Sequence, residues 1–125
     1  MYPGLSDKAY DECIRLNSYR QLWDISSHFD VVHCHNESDT LSVAALACSA
    51  PVVHDTHDLN SLRDYEDPAL SYYEGVANRG ANGRVYSTPN QLEEAKKLYD
   101  IGEPNIVFYN YASESHLTKR FLPKL

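Results

Sequence analysis

Two short apolar runs decide the fold of this chain, FDVVHCH at residues 29–35 and PVVHDTH at residues 51–57. Both are brief and rich in β-branched residues, and neither shows the apolar–polar alternation of a strand with one solvent-exposed face. Such runs are typical of strands in a parallel sheet that is covered on both sides. The small apolar residues between them, from Leu41 to Ala50, predict the crossover helix that a parallel pair of strands requires.

The rest of the chain continues this alternation of helix and strand. We predict helices over 7–27, from Pro68 to about Asn78 and from Pro89 to about Asp100, and strands over 84–87 and 105–110. Asp7 or Ser6 would cap the first helix and Thr88 the last. The prediction is an α/β fold, a Rossmann-like parallel sheet of about four strands with helices on both faces. Residues 1–112 would form this domain, and 113–125 a tail or the start of an interdomain linker.

The charge balance limits the classes of partner. The 125 residues carry 11 Lys and Arg against 18 Asp and Glu, a formal net charge of −7. A nucleic-acid binder needs surplus cations to neutralise phosphates, so that class is excluded. The sequence holds no apolar run long enough for a membrane span and opens with no signal-peptide pattern. Three cysteines at no metal-binding spacing are typical of reduced thiols, and we expect a cytoplasmic protein.

Four of the six histidines stand towards the carboxyl ends of the two deciding runs: His33, His35, His54 and His57. Ligands of open parallel sheets bind beyond the carboxyl ends of the strands, which makes these residues candidates for a site. Any one of them can instead be a packing or capping residue. A metal site is a further interpretation, because His33 and His35 are two apart on one strand and imidazole is a zinc ligand.

The His33-Cys34-His35 pattern also resembles the opening motif of the amidohydrolase superfamily, which implies a metal-dependent hydrolase. Enzymes of that kind need further ligands on later strands. The later strand ends of this chain offer Ser87-Thr88 and Asn110-Tyr111, which are poor metal ligands. We therefore assign no metal-binding residue from the sequence and keep the hydrolase as an alternative.

The order and spacing of the motifs resemble the amino-terminal domain of GT-B glycosyltransferases of family GT4, over roughly residues 28–123. The similar segments are FDVVHCHN at 29–36, PVVHDTHD at 51–58, EGVANRGAN at 74–82, RVYS at 84–87, IVFYN at 106–110 and FLP at 121–123. The chain departs from the family at Asn82, where the family usually has Asp, and at Tyr111, where it has Gly.

Members of that family transfer a sugar from a nucleotide-sugar donor to an acceptor, usually without a catalytic metal, in a cleft between two domains. The resemblance assigns the family's active-site histidine to His57. It implies an acceptor-side, substrate-binding role for Asp58, His33, His35, Asn36 and Ser87. It implies a sugar or glycolipid as acceptor and a nucleotide sugar as donor of the complete enzyme, with no cofactor held by this chain.

The family's Gly-rich loop and its donor-binding domain have no counterpart here. Residues 21–62 contain no Lys or Arg to hold a diphosphate. We therefore expect an incomplete transferase, inactive as this chain alone, that needs the missing donor-binding domain or a partner chain, or that pairs with a second copy through an open sheet edge. A non-catalytic interaction domain derived from a glycosyltransferase is the alternative. The basic tail, with Lys119, Arg120 and Lys124, would allow peripheral contact with a membrane.

Overall fold

The computed structural model describes residues 10–36, 39–60 and 67–109. Helices and strands alternate along the chain, as the sequence predicts. In chain order they are α1 (Tyr19–Ser26), β1 (Val32–His35), α2 (Asp39–Ala45), β2 (Val52–Thr56), α3 (Pro68–Gly80), β3 (Gly83–Tyr86), α4 (Pro89–Leu98) and β4 (Asn105–Val107).

The strands form one parallel sheet in the order β1-β2-β3-β4. This confirms the predicted α/β fold with a four-strand parallel sheet flanked by helices. The register pairs His35 of β1 with Asp55 of β2, and Asp55 with Val85 of β3. The carboxyl ends of β1 and β2 therefore lie side by side, which positions the candidate site.

Side-chain caps explain where α3 and α4 begin. Thr88 accepts a hydrogen bond from the backbone N–H of Gln91, and Pro89 takes the first turn of α4, as predicted. Asp67 does the same for α3 by accepting from the N–H of Ala69, ahead of Pro68. Both starts were readable from sequence because a cap followed by Pro is a local signal.

The prediction of a first helix over 7–27 was wrong at its amino-terminal end, because residues 10–18 are not helical. Ser18 has an extended backbone and its side chain accepts from the N–H of Gln21, so it is the cap of α1. The proposed caps Asp7 and Ser6 lie outside the described residues. At the other end, the hydroxyls of Ser26 and Ser27 donate to the carbonyls of Trp23 and Asp24.

The core lies on one face of the sheet, here called the helix face, which carries Cys34, Val52, His54 and Tyr86. Leu22 of α1 and Ala45 of α2 pack around Cys34 and Val52. Ala95 and Leu92 of α4 pack against Tyr86. From α3, Asn78 accepts a hydrogen bond from the Tyr86 hydroxyl. All four helices thus make their core contacts on this face.

The opposite face, here called the open face, carries His33, His35, Val53, Asp55, Val85 and Ile106. Its side chains at the sheet edges stay exposed, with 47% of the His33 side chain and 59% of the His35 side chain accessible. The sequence predicted helices on both faces. In residues 10–36, 39–60 and 67–109 each helix makes core contacts on the helix face, while Val85 at the centre of the open face is itself buried, at 9% exposure. None of the helices in those ranges is both long and apolar enough to cross a bilayer.

Candidate functional site

Three histidines and one carboxylate meet on the open face where β1 and β2 end. His33 Nε2 lies 2.8 Å from Asp55 Oδ2, and His35 Nδ1 lies 3.6 Å from the same oxygen. His57, one residue beyond β2, places its Nε2 2.9 Å from His35 Nδ1 and 3.6 Å from Asp55 Oδ1. These four residues, His33, His35, Asp55 and His57, are called the histidine cluster below.

The rings of the histidine cluster are stacked in series. The ring centroids of His33 and His35 are 4.8 Å apart with an interplanar angle of 22°, and those of His35 and His57 are 5.2 Å apart at 27°. One ring nitrogen of each histidine faces a polar partner, while the rings remain partly open to solvent. The cluster therefore presents hydrogen-bonding groups along an accessible strip of the sheet.

The electrostatics of the cluster favour a neutral ring at His35. Burial lowers the pKa of His35 from its ordinary value, the Asp55 carboxylate raises it in part, and the neighbouring imidazoles of His33 and His57 lower it again. The contact between His35 Nδ1 and His57 Nε2 requires one ring to donate and the other to accept. A neutral imidazole can supply either role, so the pair can act as donor or acceptor towards a ligand.

Asn36 holds the segment that carries His57. Its Oδ1 accepts from the backbone N–H of His57 at 2.9 Å, and its Nδ2 donates to the carbonyl of Asp58 at 2.6 Å. Both ends of the amide are thus used within the chain. The sequence assigned Asn36 to substrate binding; the structure places it beside His57 as a residue that positions the loop.

Ser87 and Gln91 approach the same segment from β3 and α4. The Ser87 hydroxyl lies 2.8 Å from Gln91 Oε1 and 3.0 Å from the carbonyl of His57. Gln91 Nε2 donates to that carbonyl at 3.1 Å. The cap of α4 is Thr88, so Ser87 is not the capping residue. Ser87 instead contacts the loop that carries His57, through the His57 carbonyl.

The structure brings together most of the predicted site residues but separates His54 from them. His33, His35 and His57 are in the cluster. Asn36 and Ser87 hydrogen-bond the backbone of the loop that carries His57, and Asp58 is exposed on the same loop. His54 is fully buried on the helix face, where its Nδ1 bonds the Ser42 hydroxyl. Strand alternation explains this, since His54 is one residue out of step with Asp55 and His57.

Two residues of the candidate site, Asp55 and Gln91, were assigned no role from the sequence, although Asp55 was among the carboxylates noted at the strand ends. Asp55 sits at the centre of the cluster within 3.6 Å of all three imidazoles. The alternation of PVVHDTH was the signal for it, because Asp55 and His57 share one side of β2. Gln91 acts across a distance of 34 residues in sequence. No local sequence pattern predicts that contact.

The histidine cluster also contains a set of potential metal ligands. His33, His35 and Asp55 each offer one ligand atom, and these atoms all lie within 4.8 Å of one another. An apolar groove lined by Leu16, Asn17, Ser18, Tyr19 and Leu41 shares no residue with the cluster. The groove is therefore separate from the histidine cluster.

No protein-family model matches the chain, and no curated protein matches it either.

Proposed function

We propose that this chain supplies the acceptor side of sugar transfer from a nucleotide-sugar donor, with His57 as the catalytic residue. The observation that carries the proposal is the meeting of His33, His35, Asp55 and His57 at the carboxyl ends of two adjacent parallel strands. Ligands of open α/β sheets bind at such ends. The order of motifs that resembles family GT4 supplies the reaction class.

The chemistry of the cluster suits a sugar hydroxyl. A hydroxyl is both a donor and an acceptor, and it is matched by a neutral imidazole beside a carboxylate. The side chain of His57 is 35% exposed and has Asp55 3.6 Å from its Nε2. A partly exposed imidazole in this setting can accept a proton from an attacking hydroxyl or hydrogen-bond it. His33, His35 and Asp58 would contact other hydroxyls of the acceptor.

The donor phosphates would be held elsewhere. A diphosphate needs Lys, Arg or backbone amides, and residues 21–62 contain no Lys or Arg. Arg84 is 3% exposed, and its guanidinium is used by the carbonyls of Asn78 and Ala81. We propose that a donor-binding domain, from another segment or another chain, forms the second wall of the cleft.

Saturation-transfer NMR with a panel of mono- and disaccharides tests acceptor binding by this chain. The wild type is expected to give signals for at least one saccharide, and His57→Ala is expected to lose them. His28→Ala is the matched control, because His28 is an exposed histidine outside the cluster. Equal signals from wild type and His57→Ala, or no signal for any saccharide, would remove the support for an acceptor site.

A role as an interaction domain is the second candidate, favoured by the apolar residues near β4. Ile106 is 56% exposed and Phe108, just beyond the strand, is 70% exposed. Alternation along the strand places Ile106 on the open face. Exposed apolar side chains on a sheet face are typical of surfaces that another polypeptide covers. The partner in this proposal is a second copy or the donor-binding chain.

A further inference from the structure

We propose that three residues of the histidine cluster, His33, His35 and Asp55, form a Zn²⁺ site whose fourth position is open. Two or three imidazoles with one carboxylate form a donor set that suits zinc. The ends of the later strands carry poor ligands, Ser87-Thr88 and Asn110-Tyr111. The third ligand comes instead from β2, through Asp55.

The three donor atoms already lie close together. His33 Nε2 is 2.8 Å and His35 Nδ1 is 3.6 Å from Asp55 Oδ2, and the ligand atoms of the three residues all lie within 4.8 Å of one another. With zinc–ligand bonds of about 2.0–2.1 Å, neighbouring ligand atoms of a tetrahedral site lie about 3.4 Å apart, so the two imidazoles have to turn towards one another to close the site. Both rings are exposed, which leaves them room to turn.

The backbone holds these donors in place before an ion arrives. His33 and His35 are on β1, and the register of the parallel pair sets His35 opposite Asp55. All three ligands thus stand on paired strands, the arrangement that keeps a metal site precise.

Charge and protonation also agree with a cation. Residues 21–62 contain no Lys or Arg to repel an ion, and Asp55 contributes a negative charge at the centre of the cluster. A ligating nitrogen must be unprotonated. The ring that donates in the contact between His35 and His57 would carry its proton on the other ring nitrogen, so a change of tautomer is sufficient.

This proposal does not depend on sugar transfer, and metal binding is measured without any saccharide. Isothermal titration of untagged, chelator-treated protein with ZnCl₂ is expected to give one ion per chain. His33→Ala and Asp55→Ala are expected to weaken binding by more than the tenfold to hundredfold loss that removal of an outer partner of a metal ligand typically causes. His28→Ala, a histidine outside the cluster, is expected to bind as the wild type does.

Co²⁺ absorption reports on the ligands in the intact wild-type chain, and therefore does not rely on variants that fold. Nitrogen and oxygen ligation is expected to give visible bands without a near-ultraviolet thiolate band. A thiolate band would assign the ion to the cysteines and overturn the proposal. Failure of the wild type to bind Zn²⁺, or unchanged affinity in folded His33→Ala, would overturn it as well.

Discussion

The backbone of His57 is fixed by two side-chain amides, and its ring by its neighbours. Asn36 accepts from its N–H and Gln91 donates to its carbonyl, so β1 and α4 both determine where the residue sits. The ring then contacts His35 and Asp55. The contacts from Asn36 and Gln91 thus use the main chain of His57 and not its ring. Substitution of Asn36 or Gln91 should therefore alter the position of His57, because both side chains bond its backbone.

Replacement of Asn36 by Ala should loosen the His57 loop. The change removes an acceptor for the His57 N–H and a donor to the Asp58 carbonyl, and two such bonds at a part-exposed site contribute about 1–2 kcal/mol to the free energy of unfolding. Urea denaturation measures that loss, and hydrogen exchange should show faster exchange of the His57 amide. Asn90→Ala, at an exposed position of α4, is the control. An unchanged exchange rate at His57 would show that Asn36 does not hold the loop.

Tyr86 should make stability fall at high pH. Burial raises the pKa of its phenol far above the ordinary value, with the Asn78 side chain accepting its hydroxyl. In the unfolded chain a tyrosine ionises near pH 10. Above that pH, ionisation lowers the free energy of the unfolded state, whereas folded Tyr86 stays protonated. The stabilising contribution is complete below pH 10 and is lost as the pH rises.

The matched comparison is Tyr86→Phe, which retains the other tyrosines. Between pH 8 and pH 11 the wild type should lose about 1.4 kcal/mol more unfolding free energy than the variant, since the unfolded tyrosine is one pH unit above its pKa at the upper end. Denaturation curves at the two pH values measure this difference. Parallel losses in the two proteins would mean that Tyr86 ionises freely in the folded state.

At the scale of elements, Arg84 ties α3 to the sheet. It is 3% exposed, and its Nη1 donates to the carbonyls of Asn78 and Ala81 at the end of α3, at 3.0 and 2.7 Å. Its Nε donates to the side chain of Asn105 on β4. A buried cation is costly unless its donors are satisfied, and here the last carbonyls of the helix satisfy them. One side chain thus connects a helix end with two strands.

Arg84→Met should therefore be strongly destabilising. The variant keeps most of the aliphatic volume and leaves the helix-end carbonyls and the Asn105 side chain without their donor, at a cost of about 2–4 kcal/mol. Thermal or urea denaturation measures the loss. Arg79→Met is the control, because Arg79 is exposed at the end of the same helix and lies over the Tyr99 ring. A loss in Arg84→Met no greater than in Arg79→Met would contradict this role.

Local signals explain which elements the sequence could predict. The starts of α3 and α4 follow from a cap and a proline, and the strands of the sheet follow from short β-branched runs. The apolar periodicity over 7–27 continues past the point where Ser18 begins α1, so periodicity alone placed that helix start too early. Alternation predicted that His33 and His35 share a side. Alternation along β2 sets Asp55 on the same side as His57. Its place beside His33 and His35 required the register of β1 and β2, which no local pattern specifies.

At the scale of the whole molecule, the helix face holds the core and the open face holds the candidate site. The histidine cluster lies at one end of the open face, and the exposed Ile106 lies at the other edge of the sheet. A second polypeptide that covers this face would bury Ile106 and form a wall beside the cluster. The proposed acceptor site and the proposed partner-binding surface therefore both lie on the open face.

Self-association through the open face can be tested with a charge on β4. If a second copy covers it, light scattering after size exclusion should show a dimer whose population increases with concentration. Ile106→Lys should shift the population to monomer, because a buried unpaired lysine is costly. Leu98→Lys, at an aliphatic position of similar exposure on α4, should leave it unchanged. A wild type that is monomeric at all concentrations would leave only a different chain as the partner.

The central claim is that His57 and its neighbouring imidazoles form one ligand-binding unit, and ring-nitrogen NMR of the histidines tests it most directly. Spectra of the folded chain are recorded during titration with a saccharide that gives saturation-transfer signals. The account predicts that the ring signals of His35 and His57 shift together, while those of buried His54 and exposed His28 stay in place. Saccharide binding that leaves the His35 and His57 rings unchanged would contradict it.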